Sequence, residues 1–170
     1  MFSKNSSFMS TTHFSHNLIK GRVAETIIQE LFQANDYNVF SYGMERTVPA
    51  IIHGIKGLNS EVAKAIRSMP DFVMQNTRNG ELFYVEVKYR AWGHFALKDL
   101  IEDYPYTNAH FIIVTNRSML HITYQDLKAG KKPAALRSDN LFGLSAESLK
   151  VYREYVGEFL GSERNLSQQI

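Results

Sequence analysis

The feature that most constrains this chain is a pair of strand-like segments, Asp71 to Gln75 and Glu81 to Tyr89, joined by Asn76-Thr77-Arg78-Asn79-Gly80. The joining segment is rich in turn residues and ends in Asn-Gly, so the two segments read as a β-hairpin. With Asp71 facing Glu86, Phe72 faces Val85, Val73 faces Tyr84 and Met74 faces Phe83. Side chains alternate between the two faces of a strand, so one face collects Phe72, Met74, Phe83, Val85 and Val87. The opposite face collects Asp71, Glu86 and Lys88. A single register thus buries the apolar side chains and gathers two carboxylates and an ammonium.

The elements around the hairpin follow from periodicity. Ile19, Val23, Ile27 and Leu31 recur every four residues between about Asn17 and Ala34, which predicts an amphipathic helix. Tyr37 to Tyr42 reads as a short strand, and Gly43 to Leu58 as irregular. Asn59 or Ser60 is positioned to cap a short helix through Arg67, with Val62, Ala65 and Ile66 on its buried side. A helix is expected from Phe95 to Asp103, ending before Pro105. His110 to Thr115 is an unalternating apolar strand, the pattern of a strand buried on both faces. A strand at Leu120 to Tyr124, a basic loop from Lys128 to Arg137 and a last helix starting near Ser145 complete the chain. Leu149, Tyr152, Val156 and Phe159 mark that helix. The expected class is α/β, a mixed sheet flanked by helices. Residues 1–16 are expected as a flexible tail, and 17–165 as one domain with an insertion at about 43–68.

Composition narrows the chemistry. The 170 residues contain no cysteine, which removes disulfides, thiolate metal sites and cysteine nucleophiles and fits a reducing, cytoplasmic setting. The longest apolar runs, such as Phe111 to Val114, are far too short to span a membrane. A net charge of +2 permits a nucleic-acid partner without demanding one. No glycine-rich nucleotide loop, nucleophile elbow or paired-histidine metal spacing is present. Two carboxylates brought side by side repel, and a shared proton or a cation relieves them. Hard oxygen ligands suit Mg²⁺ or Mn²⁺, with the backbone carbonyl of Val87 between the side chains as a further ligand. Such an ion acidifies bound water and offsets charge on a scissile phosphate. Lys88 then orients or deprotonates the attacking water, or stabilises the transition state electrostatically.

Met69-Pro70-Asp71, followed 15 residues later by Glu86-Val87-Lys88, resembles the PD-(D/E)xK motif of restriction-endonuclease-like nucleases. Upstream, Lys20-Gly21-Arg22-Val23-Ala24-Glu25 looks like the Lys-Gly-x-x-x-Glu element of archaeal Holliday-junction resolvases, with Gly21 and Glu25 on one helix face. The resemblance covers roughly Asn17 to Thr115. It implies a restriction-endonuclease-like αβββαβ core and Mg²⁺- or Mn²⁺-dependent hydrolysis of DNA phosphodiester bonds. It also implies catalytic roles for Glu25, Asp71, Glu86 and Lys88, and metal ligation by Asp71, Glu86 and Val87. A homodimer is a further expectation from the family. The segment before Pro70 is longer than in compact resolvases and carries His53, Lys56, Lys64 and Arg67.

Several other residues are candidate DNA contacts. Arg90 has the guanidinium fork that suits phosphate oxygens, and Trp92 offers an indole for stacking on an unpaired base. Lys98, Lys131 and Lys132 are further phosphate-binding candidates. The competing reading is a nucleic-acid-binding or assembly protein on the same fold without catalysis. In that reading Glu86 and Lys88 form only a sheet-surface ion pair.

Overall fold

The computed structural model describes residues 5–43, 54–55 and 57–161 of the chain. Residues 44–53 and 56, the greater part of the expected irregular insertion including His53 and Lys56, lie outside the described residues.

A six-stranded mixed sheet flanked by helices forms the fold. In chain order the elements are α1 (Asn5–Gln33), β1 (Tyr37–Ser41), α2 (Glu61–Arg67), β2 (Phe72–Asn76) and β3 (Leu82–Tyr89). They continue as β4 (His110–Val114), β5 (Met119–Thr123), α3 (Tyr124–Lys128), β6 (Ala134–Ala135) and α4 (Ala146–Leu160). The strands lie in sequence order across the sheet. All neighbouring pairs are antiparallel except β3 and β4, which run parallel and need a crossover between them.

The hairpin forms in the expected register: Phe72 faces Val85, Val73 faces Tyr84 and Met74 faces Phe83. Phe72, Met74, Phe83, Val85 and Val87 are all buried, in one cluster with Ile27, Ile28 and Phe32 of α1 and Leu149 and Val156 of α4. The opposite face carries a second cluster built from Phe95, Tyr104, Phe111, Ile113, Ile122 and Leu127. β4 serves both faces, with Ile112 and Val114 in the first cluster and Phe111 and Ile113 in the second. Its continuous apolar run is therefore used as a doubly covered central strand.

Helix α1 ends where Asn35 closes it. The Asn35 amide donates to the Leu31 carbonyl at 2.7 Å, its oxygen accepts the Ser145 N–H at 2.9 Å, and Asp36 turns the chain at φ 63°. That second bond ties the end of α1 to the start of α4, where Ser145 caps the helix by accepting the Ser148 N–H at 3.1 Å.

Several expectations are corrected. The stretch Met1 to His16, expected as a tail, is helical from Asn5 onward. Once the packed half of α1 has nucleated, each added residue gains a backbone hydrogen bond. The helix expected over Phe95–Asp103 is reduced to a single 3₁₀ turn, Leu97–Asp99. There the Asp99 carboxylate accepts the Ala96 N–H at 2.8 Å, Leu100 is extended and Asp103 has φ 54°. Phe95, Leu100 and Tyr104 fasten the crossover to the sheet instead. On α2, Ser60 caps as expected, but Ala63 is the buried residue and Val62 is exposed. The basic loop from Lys128 to Arg137 contains the edge strand β6, paired with β5. Of the residues that mark α4, Leu149 and Val156 are buried together with Leu160, whereas Phe159 is exposed. Among the described residues no helix is long and apolar enough to cross a membrane.

Candidate active site

Asp71 stands at the residue just before β2, held there by its backbone. Its carbonyl accepts the N–H of Tyr42 at 2.9 Å and of Gly43 at 3.3 Å. Glu86 and Lys88 lie two residues apart on β3, on the face opposite the buried Val85 and Val87. The two carboxylates interlock across the hairpin. Glu86 Oε2 accepts the Asp71 N–H at 3.1 Å, and Asp71 Oδ2 accepts the Val87 N–H at 2.8 Å. Each side chain reaches the partner strand's backbone beside the other, so the carboxylates are neighbours. Lys88 donates to the other Glu86 oxygen, Oε1, in a close ion pair.

Charge and burial conflict here. Only 12% of the Glu86 side chain is exposed. Burial first, and the adjacent Asp71 charge second, push its carboxyl up to about 7, with Lys88 opposing the shift. Burial alone would lower the Lys88 ammonium, but the attraction of Glu86 and Asp71 outweighs it and the net shift is upward. Protonation of the carboxylate or capture of a further cation relieves such a site.

The carboxylate pair opens into a cleft of about 1200 Å³. That exceeds the ~300–1,000 Å³ of ordinary small-molecule sites, and suits a segment of a polymer. Glu25 of α1 lines the same cleft as Asp71, Glu86, Val87 and Lys88. Gly21 lines it too, and a Cβ at that position would meet nothing within 4 Å. Its missing side chain leaves space in the cleft.

Four basic residues, Lys20, Arg22, Arg67 and Arg90, also line the cleft. The Lys20 ammonium is held on the wall by the Leu160 carbonyl at 3.2 Å and the Tyr89 hydroxyl at 3.4 Å, and the Tyr89 hydroxyl donates in turn to Asn116. Arg67 donates to the carbonyls of Ile55 at 3.0 Å and Leu58 at 2.7 Å, anchoring the segment before α2. Arg22 was findable in the sequence, three residues before Glu25 and so on its helix face. Tyr89, Asn116 and Arg67 carried no such signal, because tertiary contacts bring them to the cleft.

Arg90 and Trp92 line the cleft, whereas Lys98, Lys131 and Lys132 do not. Lys98 is exposed on the 3₁₀ turn, and Lys131 pairs with Asp126 at 2.7 Å beyond α3. Among the described residues no group of three or more His, Cys, Asp or Glu side chains is placed to hold a metal ion. The carboxylate pair offers two such side chains, so a hard cation there would draw its other ligands from a backbone carbonyl, water and substrate oxygens. Comparison with protein-family models, curated proteins and solved structures gives no match for this chain. The functional reading therefore stands on these residues.

Proposed function

We propose that this chain is a phosphodiester hydrolase that uses a divalent cation, and within that class a deoxyribonuclease of the PD-(D/E)xK type on a restriction-endonuclease-like fold. The observation that carries the proposal is the interlocked pair Asp71 and Glu86 with Lys88 against it. Burial and mutual repulsion hold Glu86 far above an ordinary carboxyl, the condition that a Mg²⁺ or Mn²⁺ ion relieves. Asp71, Glu86 and the Val87 carbonyl would hold that ion, and Glu25 would assist through a bound water. When bound, the ion supplies an acidified water and neutralises charge on the phosphate.

The chain's own groups do the remaining work. Asp71 and Glu86 are fixed by backbone donors, so the site is organised before substrate arrives. The Lys88 ammonium, kept protonated by the two carboxylates, faces the reacting phosphate as a cation that orients water and offsets developing charge. Lys20, Arg22 and Arg90 attract the neighbouring phosphates along the cleft. In the reaction water adds to phosphorus, one P–O ester bond breaks, and the departing alcohol oxygen takes up a proton.

Cleavage of linear, branched and single-stranded DNA in Mg²⁺ tests the proposal, with wild type set beside Asp71→Ala and Lys88→Ala. Hydrolysis that each substitution lowers by about 10²–10³ supports it. Hydrolysis that survives both substitutions, or wild type inert on all three substrates, overturns it.

A further inference from the structure

The sequence contains a single tryptophan, and the fold does not use it for packing. Trp92 is 83% exposed, the most exposed of the large hydrophobic side chains among the described residues. Single exposed apolar residues are common on protein surfaces, so exposure alone says little. Its mounting says more. The backbone from Arg90 to Gly93 closes a tight turn, with the Gly93 N–H donating to the Arg90 carbonyl at 2.9 Å. That turn is bonded to the end of the sheet: the Arg90 N–H donates to Val114 at 2.9 Å and the Asn116 N–H donates to Ala91 at 3.4 Å. Gly93 has φ +72°, and a Cβ there would lie 2.8 Å from the Leu120 side chain. The turn is thus packed down on the sheet while the indole it carries is left in water.

The position of that indole is the second observation. Trp92 lines the cleft that holds the carboxylate pair, two residues after Arg90, which lines it too. An aromatic platform in a groove with backbone-tracking cations is the design by which single strands are held. Bases inside a duplex are stacked on both faces and present no free face to a side chain. An unpaired or extruded base does.

We propose that Trp92 is a base-stacking platform, and that the preferred substrate is DNA with an unpaired base beside the scissile phosphate. This inference rests on the nucleic-acid reading of the cleft and deepens it. The indole would take one base face while Arg90 and Lys20 meet flanking phosphates. The turn is already ordered, so little conformational freedom is lost on binding.

The test uses the full chain in EDTA, where hydrolysis cannot occur, with a single-stranded oligonucleotide and a hairpin duplex of the same sequence. Wild-type tryptophan fluorescence, which reports on Trp92 alone, is expected to be quenched by the single strand. Anisotropy of labelled DNA should show that Trp92→Ala weakens single-strand binding by roughly 5- to 150-fold relative to duplex, the span of base–aromatic stacking on alanine substitution. Trp92→Phe, which keeps a ring, should recover most of that loss. Undetectable single-strand binding, binding without quenching, or equal losses on both DNAs would overturn the inference. Adding Mg²⁺ separates the two readings. Selective quenching without hydrolysis keeps the platform and removes the nuclease, and hydrolysis indifferent to Trp92 does the reverse.

Discussion

Replacing Glu86 with glutamine preserves its shape and removes its charge, and the consequence for stability depends on pH. Burial, and next the Asp71 charge, raise the Glu86 carboxyl from 4.5 to about 7. The folded chain binds this proton more tightly than the unfolded chain. The associated stability is therefore complete below pH 4.5 and is lost as pH rises through about 7. At 1.36 kcal/mol per pH unit, that interval makes the ionised carboxylate destabilising by up to about 3 kcal/mol at pH 8 in the absence of metal. Glutamine avoids this cost and keeps an oxygen for Lys88, but forgoes the ion pair. The expected net gain for Glu86→Gln at pH 8 in EDTA is about 1–2 kcal/mol, or roughly 2–8 °C in Tm. At pH 5 the wild-type carboxyl is already protonated, and the two proteins should unfold together. Thermal unfolding of both proteins at both pH values provides the assay. His110 and His121 also titrate on the acid side, but they are present in both proteins and cancel in the difference. A variant less stable than wild type at pH 8, or one whose advantage is equal at pH 5 and pH 8, would refute the reasoning. Glu86→Gln should also lose cleavage activity, trading function for stability.

Mg²⁺ at 100 times its Kd should stabilise wild type at pH 8 by about 2.7 kcal/mol, seen as a rise in Tm that Asp71→Asn lacks. Phe142 packs edge-on against the rings of Phe32, Phe83, His110 and His121, and Phe142→Ala should cost about 3–5 kcal/mol in urea unfolding. Burial pushes His121 down to about 4, with the neighbouring His110 adding to the shift. The folded chain there binds fewer protons than the unfolded chain, so stability present above pH 6.5 is lost as pH falls toward 4. His121→Phe should flatten that acid limb in a urea titration from pH 7 to pH 4.

How much of this was legible in the sequence depends on the range of the interactions involved. The hairpin was legible because a period of two allows one register that buries Phe72, Met74, Phe83, Val85 and Val87 together. The same local logic found the apolar β4 and the Ser145 cap. The crossover was misread because Leu97, Leu100 and Ile101 recur at a helical spacing, whereas Leu97 and Ile101 are exposed and Phe95, Leu100 and Tyr104 are the residues that pack on the sheet. The β6 edge strand has only Ala134 and Ala135 to announce it, and its pairing with β5 is a tertiary fact. At the site, Asp71, Glu86 and Lys88 were nameable from the hairpin register, and Glu25 only from the resemblance of Lys20 to Glu25 to a resolvase element. The walls of the cleft were not: Lys20 depends on Leu160 and Tyr89, and Tyr89 on Asn116, all far apart in sequence.

The claim that Asp71 and Glu86 jointly hold a divalent cation is tested most directly by anomalous diffraction from crystals grown with Mn²⁺. The account predicts a Mn²⁺ peak within about 2.0–2.6 Å of a carboxylate oxygen from each residue. A Mn²⁺ ion bound elsewhere, with that position empty and Glu86 still paired with Lys88, would contradict it.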